Sequence, residues 1–340
     1  MSERVAVLMS GGVDSGVAAL LLKEQGYDVI GLTMLNWSAE VCQKAAEVAR
    51  FLGISHHVVD LRAEFKRQVI DYFCRTYEEG LTPNPCVVCN EFVKFGLMLE
   101  QAWDVGCRWV ATGHYARVEL DETTGRHLLK KGVDPKKDQS YFLYRLKQNQ
   151  LCRLLFPLGN MTKQETKSIA AKYGLPVAKA EESQEVCFIE GDYRQFLAAK
   201  GVKGVPGPIR DQEGNVLGTH QGLISYTVGQ RRGLGLRAGR PFYVIDLDTR
   251  NNTLVVGEEK ELYRQELLAT DNNFIPFESL TEPLMVEAKI RYTAPLAQAR
   301  LTPVSGGIKV EFVHPQRAVT RGQSVVYYQG DVVVGGGIIA

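Results

Sequence analysis

The segment Val5–Val29, VAVLMSGGVDSGVAALLLKEQGYDV, is the strongest constraint on the fold. Val5–Met9 is a short apolar run of β type. Gly16–Gln25 carries Val17, Leu20, Leu21 and Leu22 at helical spacing, and Gly26 stops it. Between them stands Ser10-Gly11-Gly12-Val13-Asp14-Ser15, which suits neither element. A strand that breaks into a glycine turn and opens a helix is an anion site. The first helical N–H groups have no internal partner, and the helix dipole adds positive potential. Gly11 and Gly12 let the backbone approach a phosphate closely, and Ser10 and Ser15 add hydroxyl donors. Asp14 is acidic where a phosphate is expected, which fits a phosphate-bound Mg²⁺ or a helix cap. No Gly-Lys-Ser/Thr follows, so this is not a Walker loop, and it is not GxGxxG. The competing interpretation is a tight strand–helix turn without a ligand.

The alternation continues. Val29–Met34, His57–Val59 and Trp109–Thr112 read as strands. Glu40–Leu52, Lys66–Tyr77, Phe92–Val105 and Thr162–Tyr173 read as helices. Strands alternating with helices predict a parallel sheet covered on both faces. Near Gly201 the texture changes to a Gly- and Pro-rich stretch. Short β runs follow at Tyr243–Asp246, Thr253–Val256, Leu284–Ile290, Lys309–Phe312, Ser324–Tyr328 and Val332–Gly335, which predict one or two small β-barrel modules.

No segment offers about eighteen uninterrupted apolar residues, so no membrane span is expected. The start of the chain has no secretory pattern, and a cytoplasmic location with reduced thiols is expected. The seven cysteines are then core fillers, redox groups or metal ligands. A net charge of +1 does not advertise a polyanion partner, although local patches still can bind one.

Two segments gather the informative cysteines. In GLTPNPCVVCNEFVKFG, two prolines force an extended loop, and Cys86 and Cys89 follow as C-x-x-C, then Asn90 and Lys94 on an incoming helix. Thiols at a helix N-terminus are expected to have lowered pKa values and to act as nucleophiles or ligands. In ESQEVCFIEG, Cys187 is framed by Glu185 and Phe188. Cys42, Cys74, Cys107 and Cys152 lie in helical or apolar contexts and read as packing residues.

SGGVDS after a first strand resembles the PP-loop of the N-type ATP pyrophosphatases, which cleave ATP between the α- and β-phosphates and adenylate a carbonyl oxygen. TPNPCVVCNEFVKF, ATGHYAR, KDQSYFLY, EVCFI, YTVGQRRGLG and GGGII together resemble the tRNA-specific 2-thiouridylases across nearly the whole chain. The resemblance implies an α/β fold class: a Rossmann-like parallel-sheet PP-loop domain at 1–198, then two small mainly-β domains at 199–262 and 263–340 that grip tRNA. It implies ATP and Mg²⁺ as cofactors and ATP contacts from Leu8, Met9, Ser10, Gly11, Gly12, Val13, Asp14, Ser15, Met34 and Gly113. It implies Cys89 as nucleophile and Cys187 as persulfide carrier. Asn84, Pro85, Cys86 and His114 are implied at the target base, and Lys137, Asp138, Gln139, Arg291, Tyr292 and Gln323 at the tRNA.

The chemistry behind that assignment is coherent. The C2 carbonyl of uridine is unreactive until adenylation makes its oxygen a leaving group. A persulfide on Cys187 is a soft nucleophile already loaded with sulfur, and a second thiolate completes release by disulfide exchange, leaving Cys89 paired with Cys187. The two Cα atoms must then come within about 6 Å. Many relatives carry Asp where this chain has Cys86. That leaves a second route open, in which Cys86, Cys89 and Cys187 hold a [4Fe–4S] cluster with one open iron, and a third, a three-cysteine zinc site.

The strand-end positions of Met34 and Gly113 suit nucleotide contacts in a doubly wound sheet, and His114 beside Gly113 is placed for substrate. KKGVDPKKDQSYFLYRLK interleaves basic and aromatic residues, which suits phosphates and stacked bases; Arg231, Arg232, Arg237 and Arg240 sit among glycines, where they suit phosphate contacts. The expected partners are tRNA and a sulfur-donor persulfide relay protein, with the chain a monomer. The rival functions are a PP-loop ligase or amidotransferase for a small metabolite, and a nucleotide- or RNA-binding module without turnover.

Overall fold

The computed structural model describes residues 2–36, 39–178, 186–236 and 240–340. Glu185 and Arg237, singled out above, lie outside the described residues.

The first unit is a parallel sheet. β1 (Arg4–Leu8) is flanked by β2 (Asp28–Leu35) and, on the other side, by β4 (Trp109–Ala111). β3 (Ser55–Asp60) extends the sheet beyond β2, and the short strand Leu154–Leu155 extends it beyond β4. The connections reverse direction between β1 and β4, so the crevice beyond their carboxyl ends is the switch point where such sheets bind ligands. Helix α1 (Val13–Glu24) follows β1 directly and is buried nearly all round, with Val17, Ala18 and Ala19 fully enclosed. Helix α2 (Ala39–Leu52) shows the one-sided pattern of a surface helix, burying Ala45, Val48, Ala49 and Leu52.

The helix expected over Phe92–Val105 begins earlier, at Pro85, and runs to Asp104. Proline is well suited to a first helical position, where its missing N–H is no loss. Over Cys89–Leu97 this helix is wound in the wide i→i+5 form, and the Gln150 side-chain amide donates to the carbonyls of Glu91 (3.3 Å) and Phe95 (2.6 Å).

The β-rich part forms two sheets. Four strands pair in the order Tyr243–Asp248, Thr253–Gly257, Gly207–Arg210, Val216–His220. Six more, from Tyr263–Phe274 to Val332–Ile339, close on themselves through pairing of those two end strands. The hairpin of Ala116–Asp121 and Arg126–Lys131, which the periodicity does not reveal, hangs on this barrel through Val332 and Lys130.

The barrel and the first unit share one core. Val326, Tyr328 and Val333 of the barrel pack in a cluster with Phe65, Phe73, Phe95, Tyr141 and Tyr144. Tyr141 donates to the Ser324 carbonyl (2.9 Å) and Tyr144 to Ser324 Oγ (3.2 Å). These two tyrosines are therefore enclosed by protein, which corrects the expectation that the aromatics of this stretch present stacking faces. A second join is a loop-on-loop latch: Thr82 N–H donates to the Arg321 carbonyl (2.9 Å), and the Gln323 amide donates to the carbonyls of Thr82 (3.3 Å) and Pro83 (3.0 Å). Gly322 sits between them at φ +86, where a Cβ would stand 2.9 Å from Leu81 Cβ and Thr82 N.

Candidate active site

The turn between β1 and α1 is organised from within. Met9 N–H donates to the Leu32 carbonyl (2.8 Å), and the Met9 carbonyl accepts from Thr33 Oγ1 (2.9 Å), which ties the end of β1 to β2. Ser15 Oγ accepts from Ser10 N–H (3.2 Å) and donates to the Gly12 carbonyl (3.1 Å). Gly12 opens the helix with no side-chain cap, so the first-turn N–H groups of Val13 and Asp14 are left for a ligand. Gly11 takes φ +68 with its Cα against α2; a Cβ would lie 2.6 Å from Lys44 Cβ. At Gly12 the nearest atom to such a Cβ is Ser10 Oγ at 3.5 Å, so the inner wall of the turn is open. This is a cradle that fits a polyphosphate.

Asp14 does not cap the helix. Its carboxylate accepts from Lys163 Nζ (2.7 and 2.8 Å) and from the Tyr115 hydroxyl (2.9 Å), and Tyr115 in turn lies 3.0 Å from Thr166 Oγ1. Lys163 opens the helix Lys163–Lys172, whose cap is Thr162. Sequence reading identified that helix and missed this role, because nothing local marks a lysine that must reach across 149 positions.

Across the switch point, Gly113 stands two residues beyond the end of β4, and its lack of a side chain is essential. A Cβ there would stand 2.7 Å from the Asp14 carbonyl carbon and 2.8 Å from Ser15 N. The next residue, His114, faces away from the turn into an aromatic pocket, with Phe95 at 5.8 Å and Phe156 at 6.0 Å between ring centroids. Its Nδ1 is 2.7 Å from Thr112 Oγ1. Burial, with the Lys94 ammonium nearby, holds the imidazole pKa well below the usual histidine range, so His114 is neutral at pH 7. Met34, near the end of β2, is half-buried and packs on the core.

Lys94 joins the histidine to the thiols. Its charge acts on Cys86, Cys89 and Cys187 alike, and a charge on Cys187 in turn acts on Cys86 and Cys89. Cys187 is exposed, while the following Phe188 is anchored edge-on against Phe65 (5.8 Å) and Phe73 (5.4 Å). The expected lowering of the thiol pKa values is not found. Burial pushes Cys86 and Cys89 upward, Cys89 to about 12, and the Lys94 ammonium offsets this only in part; Cys187, whose residue keeps an exposed face, is also raised by the protein packed around its thiol. Position at a helix N-terminus is outweighed by desolvation because Cys89 is buried.

All seven cysteines are free thiols. Among the described residues, no three His, Cys, Asp or Glu side chains stand close enough to share a metal ion. Cys86, Cys89 and Cys187 as placed here therefore do not form the three-thiolate set expected for an iron–sulfur cluster or for zinc.

The remaining expected RNA contacts divide. Asn84 precedes the Pro85 helix and is buried, its N–H directed at the Tyr72 hydroxyl (3.4 Å). Asp138 accepts from Gly132 N–H (3.0 Å) and Ser140 N–H (3.1 Å), and Gln139 Oε1 accepts from Tyr115 N–H (3.0 Å). These two side chains shape the turn behind the nucleotide crevice, with Lys137 beside them. Tyr292 stacks obliquely on Phe142, ring centroids 4.6 Å apart, and Arg291 donates to the Arg317 carbonyl (3.1 Å). Gln323 is engaged in the latch. Arg231, Arg232 and Arg240 are exposed, with Arg240 paired to Glu258 and lying over the Phe242 ring.

Three family descriptions match in succession: "tRNA methyl transferase HUP domain" over residues 3–191, "tRNA methyl transferase PRC-barrel domain" over 194–258 and "Aminomethyltransferase beta-barrel domain" over 264–339. The tRNA-specific 2-thiouridylase MnmA 1 of Caldanaerobacter subterraneus subsp. tengcongensis is 52% identical, covering 100% of this chain and 98% of that protein. The tRNA-specific 2-thiouridylase MnmA of Syntrophomonas wolfei subsp. wolfei is 53% identical over 99% of each. That of Moorella thermoacetica is 50% identical over 98% of each.

Proposed function

The chain belongs to the tRNA-specific 2-thiouridylases, a family of tRNA sulfurtransferases, and from that premise we propose that it replaces the C2 oxygen of the wobble uridine of Lys, Glu and Gln tRNAs with sulfur. The family descriptions speak of methyl transfer. The full-length relatives are named for 2-thiolation, and three thiols that all feel the charge of Lys94 fit the latter. Residues 1–198 hold the ATP and thiol chemistry, and 199–262 and 263–340 the RNA, in the same proposal.

ATP lies with its phosphates on the turn Leu8–Ser15 and its base toward Met34 and Gly113. The uridine C2 oxygen attacks the α-phosphorus and pyrophosphate departs. Mg²⁺ would neutralise charge on that leaving group. Asp14 is the carboxylate placed to meet it, and Lys163, which holds both Asp14 oxygens in this structure, would then turn toward the phosphates. The terminal sulfur of a Cys187 persulfide next attacks C2 and expels AMP, leaving the base joined to Cys187 through a disulfide. The Cys89 thiolate attacks Cys187 Sγ. The 2-thiocarbonyl leaves, and Cys89 and Cys187 are left as a disulfide that an external thiol reduces before a persulfide donor protein reloads Cys187.

One observation carries the proposal. Gly113 touches the nucleotide turn, the adjoining His114 lies by Lys94, and Lys94 lies by all three thiols. Given ATP, Mg²⁺, an unmodified tRNA transcript and a persulfide donor, the protein is expected to form AMP, pyrophosphate and 2-thiouridine in equal amounts, measured by nucleoside mass spectrometry. Pyrophosphate release with small carboxylic acids and none with tRNA would assign a metabolite ligase instead.

The thiols set a pH dependence. With the Cys89 pKa at about 12, its thiolate fraction rises about tenfold per pH unit at neutral pH. In single-turnover experiments the release of thiolated tRNA from the Cys187 adduct is expected to climb with unit slope from pH 7 to 9 without a plateau. Lys94→Met removes the charge that lowers the thiol pKa values, so the variant should be slower at each pH with the same slope. A flat profile would show that Cys89 does not limit release.

A further inference from the structure

Asn90 follows the thiol proposed as nucleophile and is only 2% exposed. Its Nδ2 donates to the Phe142 carbonyl (3.1 Å). A carbonyl oxygen only accepts, so this bond fixes the orientation of the amide. The other end, Oδ1, is then enclosed with no donor opposite it. Among the described residues it is the side-chain polar atom that is buried without a partner. Such an acceptor is costly, because the water it gave up on folding was not replaced. Asn90 shares the helix of Cys86, Cys89 and Lys94, being four residues from Cys86 and from Lys94. Through Phe142 it adjoins the ring of Tyr292, 4.6 Å from that of Phe142.

We infer that Asn90 Oδ1 is the acceptor for the N3–H of the target uracil, and so a specificity-determining residue that admits uridine and refuses cytidine; the inference rests on the thiolation function proposed above. Uracil presents a donor at N3 between its two carbonyls, whereas cytosine presents an acceptor there. A buried acceptor leaves cytosine with two opposed lone pairs, the arrangement by which sites reject a near-isostere most strongly. The bond to N3–H also fixes the rotation of the ring, and with it the position of the neighbouring C2. Because Oδ1 is enclosed in this structure, the base gains it only as the surrounding wall parts, so the bond forms on entry of the flipped nucleotide and costs no displaced water at that atom.

The test is a cycle between side chain and substrate. Single-turnover AMP release is measured with tRNA transcripts carrying either uridine or 3-deazauridine at the wobble position, the latter having C–H in place of N3–H. Wild type is expected to prefer uridine by about 10- to 100-fold. Asn90→Leu should shrink that preference to within about threefold, while Asn90→Asp, which keeps acceptor oxygens, should retain it. Both variants lose the donor to Phe142, so a purely structural role would move them alike. A leucine variant with the wild-type preference, or a wild type that does not distinguish the two RNAs, overturns the inference. A wild type that releases no AMP with either RNA overturns the function on which it rests.

Discussion

Cys187→Ser is expected to lower tRNA 2-thiolation by at least about a thousandfold, the scale seen when a group that forms the covalent bond is removed. The phenylalanine packing beneath it should be unaffected, because Cys187 itself is exposed and Phe188 anchors the segment against Phe65 and Phe73. The variant should melt like the wild type. In the proposed order adenylation comes before any use of the thiol, so tRNA-dependent pyrophosphate release should persist. Cys89→Ser should fail one step later and accumulate an enzyme–tRNA adduct held by a disulfide to Cys187, visible on a non-reducing gel and dissolved by dithiothreitol. Cys86→Ser separates the chemistries: with a persulfide route it retains activity, whereas a three-thiolate centre would lose it. Thiolation by the Cys187→Ser protein at the wild-type rate would remove Cys187 from the mechanism.

The second large effect comes from a residue with no side chain. Gly113→Ala places a methyl group 2.7 Å from the Asp14 carbonyl carbon and 2.8 Å from Ser15 N. The obstacle is backbone, which cannot swing aside. Either β4 withdraws from the start of α1 or the turn itself is pushed off its geometry. Overpacking of this kind costs roughly 1–3 kcal/mol. The functional loss should be larger, since displacement of a phosphate cradle by about 1 Å is worth on the order of a hundredfold in rate. ATP-dependent pyrophosphate release is the measurement, read beside a thermal melt. A variant that matches wild type in both would show that the two elements do not need their close approach.

How far these sites could be read from the sequence depends on the kind of feature. The β1 turn and α1 were legible because strand, glycine break and helix are adjacent in the chain, and their periodicities are local. The pattern marks the cysteine-bearing helix but starts it seven residues late, at Phe92, because Pro85 reads as a breaker whereas it stands at the first helical position. The hairpin over 116–131 was not legible; its residues alternate weakly, and its partner strand lies two hundred positions away. The thiol pKa values were read in the wrong direction because a helix terminus can be seen in sequence and desolvation cannot. The resemblance implies Asp14 at the nucleotide and Gln139 and Gln323 at the tRNA; in the structure each bonds within the protein, to Lys163, to Tyr115 and to the loop before Cys86, because long-range partners leave no local mark in the sequence.

That last bond has a mechanical consequence. Thr82 and Pro83 stand just before the helix that carries Cys86 and Cys89, and their carbonyls accept from a barrel residue 241 and 240 positions later. Under the proposed function, a shift of the barrel on docking tRNA would be passed to the start of the cysteine-bearing helix through three hydrogen bonds and a glycine that has no room for a side chain.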